Sequence, residues 1–146
     1  MKKTLILIIA TVGYLSWLQL FASQTLPVPH AQAESRLINP HLGTICKATA
    51  AISFGRNFRI MQLDNVDEQG VAWVHYLRPS DHSRWAIRCR LQEDRVIWMA
   101  DNPDSDARWR IGPDDEKITW RISEDNLTLR LVYPDGSGDE QTFQLE

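Results

Sequence analysis

The strongest constraint on the fold is a series of short apolar segments that follows Gly55 at a spacing of about ten residues. Turn-forming residues separate the segments, and Pro134-Asp135-Gly136-Ser137-Gly138 is the clearest of these loops. Parallel neighbours need crossover connections of a dozen or more residues, so strands this closely spaced must pair antiparallel, as a meander. The predicted strands are 58–66, 71–78, 84–92, 95–100, 108–111, 117–123, 127–133 and 141–145.

A single helix is predicted ahead of the strands. Asn39 and Pro40 are typical of a helix N-cap and a first helical position, and Gly55 is typical of a C-terminal stop. Apolar or small side chains recur between them at helical spacing in one narrow stripe: Leu42, Ile45, Cys46, Thr49 and Ile52. We therefore expect a helix over about residues 40–54.

Large apolar side chains are expected on one face of the predicted strands. They are Trp73, Trp85, Trp98, Trp109, Ile118, Trp120, Leu129, Leu131 and Phe143. A one-sided aromatic set suits a sheet that curls around its own core, with the helix closing one side or end. The sequence thus predicts an α+β fold, in which one N-terminal helix packs on a strongly curved antiparallel sheet or partly open β-barrel of seven or eight strands.

Residues 1–33 have the form of a secretory signal peptide. They contain Lys2 and Lys3, an apolar run over residues 5–22, and the small-residue cleavage pattern Ala31-Gln32-Ala33. Because the run is long for a signal core, an N-terminal membrane anchor is the alternative. Residues 34–38 are then a linker and residues 39–146 a single globular domain. We expect a periplasmic or secreted bacterial protein, or alternatively an inner-membrane-anchored one whose only membrane contact is its uncleaved N-terminal segment.

The chain contains two cysteines, Cys46 and Cys89, and both lie beyond the predicted cleavage site. Cys46 falls on the apolar stripe of the helix, and Cys89 falls on the inward face of the strand over residues 84–92. An oxidising compartment allows such a pair to form a lasting disulfide. Redox-active pairs usually lie close in sequence with an exposed thiolate, so a structural disulfide between helix and sheet is the favoured interpretation.

The region after residue 33 is acidic, with nineteen acidic and fourteen basic residues and a net charge of −5. This balance argues against nucleic-acid binding and against binding to anionic membranes, which both need a basic surface. Twelve of the fourteen basic residues are arginines. Arginine makes planar, bidentate contacts with carboxylates and phosphates, so the placement of these residues is informative.

Seven arginines are expected on the outward face of the strands, opposite the tryptophans. These candidate partner-binding residues are Arg84, Arg88, Arg90, Arg108, Arg110, Arg121 and Arg130. One interpretation is a positive stripe that binds an envelope protein or another anionic ligand, such as a phosphate or a glycan acid. The favoured interpretation is a solvated face whose arginines pair with loop acids such as Asp114, Asp115 and Glu116.

No sequence motif for catalysis, metal binding or a cofactor is present. The chain has no Gly-x-Ser-x-Gly, no His-Glu-x-x-His and no phosphate loop, and its acidic segment over residues 101–116 lacks the spacing of a calcium-binding EF-hand loop. His41, His75 and His82 are expected to be structural or exposed. We therefore expect no catalytic residue, no metal and no cofactor.

Several short motifs lie between Ile45 and Trp98. Ile45-Cys46-Lys47-Ala48 is followed by Gly55-Arg56, and a second block runs from Tyr76-Leu77-Arg78-Pro79-Ser80-Asp81 through Arg84-Trp85 and Arg88-Cys89 to Val96-Ile97-Trp98. In these motifs, residues 45–98 resemble a group of small exported bacterial proteins without an assigned function. The resemblance implies that the helix, the hairpin and the disulfide occur together, and it supplies no catalytic residue.

Together these patterns predict a small exported envelope protein that acts as a non-catalytic binding module, such as an inhibitor, an immunity protein or an accessory factor. A carrier of small ligands is the alternative, and it needs an unfilled cavity among Trp73, Trp85, Trp98 and Trp120. A cell-wall glycan hydrolase is a third hypothesis, and it needs two facing carboxylates in a cleft.

Overall fold

The structure is a computed structural model that describes residues 37–145. It contains one α-helix and seven β-strands: α1 (Leu42–Phe54), β1 (Gln62–Val66), β2 (Val71–Leu77), β3 (Arg84–Gln92), β4 (Arg95–Ala100), β5 (Lys117–Ser123), β6 (Asn126–Val132) and β7 (Gly138–Gln144). Each strand pairs antiparallel with its sequence neighbours in one sheet of order β1 to β7. The predicted α+β meander is therefore confirmed.

The expected signal segment, residues 1–33, and the first part of the expected linker lie outside the described residues. Within residues 37–145 no helix is long and apolar enough to cross a membrane.

Helix α1 begins two residues later than predicted, at Leu42. Asn39 forms a turn ahead of it, because its Oδ1 accepts a hydrogen bond from the His41 N–H (2.8 Å) and its carbonyl accepts one from the Leu42 N–H (3.0 Å). Gly55 ends the helix in the left-handed conformation (φ 58°), as predicted. Nine of the thirteen helical residues are buried, more than one narrow stripe would give, because the sheet curls around the helix and both sheet ends contact it.

The predicted disulfide joins α1 to the inner face of β3. Cys46 and Cys89 are both fully buried, and their Cα atoms are 5.9 Å apart. Ala72 on β2 lies opposite Cys89, and this small side chain leaves room for the helix to approach the sheet. The middle of the helix is thereby fixed over the middle of the β2–β3–β4 segment of the sheet.

Trp73 does not belong to the core, contrary to the prediction. The buried residues of β2 are Ala72, Val74 and Tyr76, so Trp73 lies on the outer face, with Arg88 of β3 opposite. The segment Val71–Leu77 is mostly apolar on both faces, so its alternation in sequence did not show which face is inward. The pairing of Ala72 with Cys89, which faces the helix, shows that Ala72 faces inward and Trp73 outward.

The predicted strand over residues 108–111 is also wrong, and Trp109 is not a core residue. β4 pairs with β5 at two positions only, and residues 101–116 fold back along the remaining edge of β4. The segment is joined to β4 by a backbone hydrogen bond, in which the Arg110 N–H donates to the Trp98 carbonyl (2.9 Å). The sheet consequently has seven strands, with an irregular connection where an eighth was expected.

The first predicted strand is shorter than expected. Phe58–Ile60 forms a turn of 3-10 helix, and Asn57 caps it by accepting a hydrogen bond from the Arg59 N–H (2.9 Å). Only Gln62–Val66 of the predicted segment 58–66 is a strand. β1 is therefore a short edge strand, and its pairing with β2 is interrupted by a bulge at Asp64.

Candidate functional site

The candidate arginines of β3 lie on the outer face, as predicted, but Arg84 and Arg88 already have acidic partners. The Arg84 guanidinium lies 2.7 Å from Asp64 Oδ2, and His75 Nδ1 lies 2.7 Å from the other oxygen of the same carboxylate. The Arg88 guanidinium lies 2.8 Å from Asp101. The Arg84 guanidinium donates a hydrogen bond to Asp64, and both arginines are paired with an acid within the protein.

The third arginine of β3, Arg90, is exposed and stacks with an aromatic ring. Its guanidinium lies 4.7 Å from the centre of the Trp109 ring, which the 101–116 connection supplies. Ile97 and Met99 of β4 are buried although they alternate with inward-facing side chains, because this connection folds over the outer face there. Residues 101–116 thus cover the outer face around Ile97 and Met99, while Arg84, Arg90 and Gln92 of β3 stay exposed.

Arg108 belongs to the 101–116 connection and is bound by a buried carboxylate. Its two terminal nitrogens each lie 2.7 Å from an oxygen of Asp115, and the Gly112 N–H donates to Asp115 Oδ2 (2.7 Å). These hydrogen bonds, first that from Arg108, hold the pKa of Asp115 well below its usual value, and the same contact raises the pKa of Arg108. The pair closes the loop around Gly112.

Arg110 does not share the outer face with the arginines of β3. Its guanidinium lies over the ring of Trp98, an inner-face side chain, at 4.4 Å. It also lies 3.5 Å from Glu116 Oε2, and Oε1 of Glu116 accepts a hydrogen bond from the Trp98 indole (2.9 Å). Arg110 therefore packs against the edge of β4, where Trp98 and Glu116 rather than a partner contact its guanidinium.

Arg121 and Arg130 are the two candidate arginines without such partners. They lie on the exposed outer face of β5 and β6, and within residues 37–145 neither forms an ion pair or a cation–π contact. Arg130 lies opposite Thr119 in the register of β5 and β6, and Arg121 lies opposite Thr128. The two arginines are therefore diagonal neighbours, a relation that places Cβ atoms about 7–8 Å apart or somewhat less.

The register brings two further basic residues to Arg121 and Arg130. Thr119 has Arg95 of β4 on one side and Arg130 of β6 on the other, and Lys117 and Arg121 lie two positions away along β5. Because alternate side chains share a face, all four basic side chains surround Thr119 on the outer face. We call Arg95, Lys117, Arg121 and Arg130 the basic cluster.

The basic cluster has no intramolecular counter-charge within ion-pair distance. None of its four members forms an ion pair within the described residues, and the Nε atom of Arg95 is buried without a hydrogen-bond partner there. Glu140 lies opposite Arg130 in the register of β6 and β7, but their charged groups do not pair. Four positive charges with this arrangement attract an anion to Thr119.

Two shallow depressions lie next to each other on this surface. The first has a volume of about 340 Å³ and is lined by Asp94, Thr119, Trp120, Arg121, Thr128, Arg130 and Glu140. The second, of about 390 Å³, shares Arg130 and Glu140 with the first and extends towards Gly136 and Asp139. Both volumes fall at the lower end of the range for ligand sites, about 300–1,000 Å³.

Sequence reasoning missed Arg95 and Lys117, and it missed the central position of Thr119. The alternation of Lys117, Thr119 and Arg121 is visible in the sequence, but their neighbours on β4 and β6 follow only from the strand register. Within residues 37–145 no three His, Cys, Asp or Glu side chains converge on a position that could hold a metal ion.

No protein-family model matches the chain, and comparisons with curated proteins and with solved structures find no significant match either. Arguments about function therefore depend on the geometry of the site.

Proposed function

We propose that this protein is a periplasmic or secreted, non-catalytic binding module that holds an anionic partner at the basic cluster. One observation carries the proposal: Thr119 is surrounded by four basic side chains that form no ion pair within residues 37–145. The other candidate arginines, by contrast, have partners within the fold. The buried disulfide supports an oxidising location outside the cytoplasm.

The electrostatics of the cluster favour an occupant of opposite charge. Two unit charges about 7 Å apart repel by about 0.6 kcal/mol in water, and by more beside a protein surface. Because the strands hold the four charges close together, this repulsion persists in the free protein. A bound carboxylate or phosphate reduces it. Because the strands fix the backbone positions, the ordering cost on binding is limited to the side chains.

The carrier alternative is disfavoured by the packing of the interior. Phe54 of α1 inserts among three aromatic side chains, with ring centres 5.8 Å from Tyr76, 6.1 Å from Trp85 and 5.9 Å from Trp98. Trp73, which the carrier hypothesis placed in the interior, lies on the outer face. The helix thus occupies the space in which a ligand would have to bind.

The hydrolase alternative is disfavoured by the separation of the carboxylates at the site. Asp94 precedes β4 and Glu140 lies on β7, so three strand spacings, about 14 Å, separate the backbones that carry them. Glycoside hydrolysis uses two carboxyl groups about 5–9.5 Å apart. The two residues line the same depression, but their backbones lie well beyond this range, so binding is the function that this arrangement favours.

Affinity capture with the full-length protein tests the proposal. We expect the wild-type protein to capture an anionic component from an envelope extract, and the double variant Arg121→Gln/Arg130→Gln to capture about tenfold less, since it lacks two donors to the anion. Arg56→Gln/Arg59→Gln is the matched control, because it removes the same charge from exposed arginines outside the cluster. Equal capture by the wild-type protein and by Arg121→Gln/Arg130→Gln would contradict the proposal.

A further inference from the structure

We propose that the anionic partner is an acidic glycan, a chain of sugar units that carry carboxylates. This inference rests on the proposed function and identifies the chemical class of the ligand. It is carried by the carboxylates at the margin of the basic cluster, by the polar character of the surface and by the pair of adjacent depressions.

The margin of the first depression provides acceptors as well as donors. Asp94 and Glu140 line it together with Arg121 and Arg130, and Thr119 and Thr128 place hydroxyl groups between the arginines. An acidic sugar matches this set, because its carboxylate accepts hydrogen bonds from guanidinium groups while its hydroxyls donate to carboxylates. A ligand without hydroxyl groups, such as an acidic side chain of a protein, leaves Asp94 and Glu140 unmatched and is repelled by both.

The surface has one aromatic contributor, the half-buried Trp120 of the first depression, and few of the other apolar side chains that a protein partner requires. Protein interfaces depend on buried aromatic and other apolar anchors near their centre. The outer-face positions of β5 to β7 are Lys117, Thr119, Arg121, Ser123, Asn126, Thr128, Arg130, Val132, Gly138, Glu140, Thr142 and Gln144. None of the large apolar side chains that are exposed within residues 37–145 is among them. The chemistry of this face therefore fits a hydroxyl-rich ligand better than a protein surface.

The two depressions indicate a chain with more than one unit. Both are lined by Arg130 and Glu140, so these two residues lie at the boundary between them. A ligand that fills both depressions passes over Arg130, while Arg121 binds within the first depression only. Consecutive units of one glycan can occupy the two positions, whereas a single sugar fills one of them.

Titration calorimetry with defined probes tests this inference. The probes are trigalacturonic acid, its methyl ester and triaspartate, which has the same backbone-borne series of carboxylates without sugar hydroxyls. We expect trigalacturonic acid to bind the full-length protein about tenfold more tightly than triaspartate, and esterification to weaken binding by at least as much. Glu140→Gln should weaken trigalacturonic acid binding severalfold and leave or improve triaspartate binding, because the lost carboxylate accepts from hydroxyls but repels acids.

Glu68→Gln is the control, since Glu68 is an exposed carboxylate in the turn between β1 and β2, away from the cluster. Equal affinity for trigalacturonic acid and triaspartate overturns the glycan inference and leaves anion binding at the cluster intact. Absence of trigalacturonic acid binding, while a protein is still captured through Arg121 and Arg130, also overturns it. If neither probe binds and capture does not depend on these arginines, the proposed function fails as well.

Discussion

The outer face of the sheet has two halves that contain arginines in opposite electrostatic states. In the first half, formed by β2 and β3, Arg84 and Arg88 are paired with acids and Arg90 stacks with Trp109. In the second half, formed by β5, β6 and β7, Arg121 and Arg130 are exposed without a paired acid in the described residues. The same residue type thus supports the fold on one side and is available for binding on the other.

The difference shows that a count of surface arginines says little about function. An arginine that donates to a buried acid such as Asp115 stabilises its own loop, and a partner would have to displace that acid to reach it. An arginine without a counter-charge is repelled by its basic neighbours already in the unliganded protein. Only the second kind is available to a ligand, so substitutions in the two halves should have different consequences.

The largest effect is expected at the disulfide beneath the first half. Replacing Cys46 and Cys89 with Ala removes a covalent link between residues 43 positions apart, and chain entropy assigns about 4 kcal/mol to a loop of this size. That is a large share of the 5–15 kcal/mol typical of a whole domain. Denaturant unfolding measures the loss, and hydrogen exchange should show it first in α1 and β3. An unchanged free energy of unfolding would show that packing alone fixes the helix.

A smaller loss is expected when the ion pair of the 101–116 connection is broken. Asp115→Asn preserves the shape of the side chain but leaves Arg108 without its carboxylate partner, so the melting temperature should fall by several degrees. Asp114→Asn is the control, because Asp114 is exposed and carries the same charge one residue earlier. If both variants melt alike, the Asp115 contact does not hold the connection in place.

The pH dependence of stability provides a second readout for Asp115→Asn. Because the pKa of Asp115 is lowered on folding, its stabilising contribution is fully present above its unfolded pKa of about 3.9 and is lost as the pH falls further. The free energy of unfolding of the wild-type protein should therefore decline more steeply than that of Asp115→Asn between about pH 5 and pH 2. Parallel declines would show that the carboxylate is not specifically stabilised.

The smallest effect on stability is expected in the second half. Arg121→Gln/Arg130→Gln removes mutual repulsion and breaks no ion pair within residues 37–145, so the melting temperature should stay the same or rise slightly. Arg84→Gln/Arg88→Gln is the matched comparison: it removes the same charge but breaks two ion pairs, at a cost of about 1 kcal/mol. Equal melting temperatures for the two double variants would remove the distinction between the halves.

The helix, the meander and the disulfide could be predicted because each has a local signature. Gly55 marks the end of the helix, and the clean alternation of β3 shows that Cys89 faces inward with Ile87. The interpretation of Trp73 as a core residue failed because both faces of β2 are apolar, and the strand over residues 108–111 failed because its pattern resembles that of a regular strand. In both places a neighbouring element decides the outcome.

The candidate site could be predicted only in part. Arg121 and Arg130 were among the seven expected arginines, and their type and outward direction follow from the alternation of β5 and β6. Their separation from the other five depends on acids far away in sequence, such as Asp64, which lies twenty residues before its partner Arg84. No local pattern encodes that pairing.

By itself, the sequence determined the class of fold, the helix and its disulfide to the sheet, because turns, alternation and cysteine positions act over short distances along the chain. Tertiary structure alone decided which arginines lack an acidic partner within residues 37–145. The register of β4, β5 and β6 surrounds Thr119 with four basic residues, and the fold-back of residues 101–116 pairs Arg108 with Asp115 and stacks Trp109 on Arg90. The physical reason is that the state of a charge depends on its neighbours in space, and those are set by strand register and loop packing.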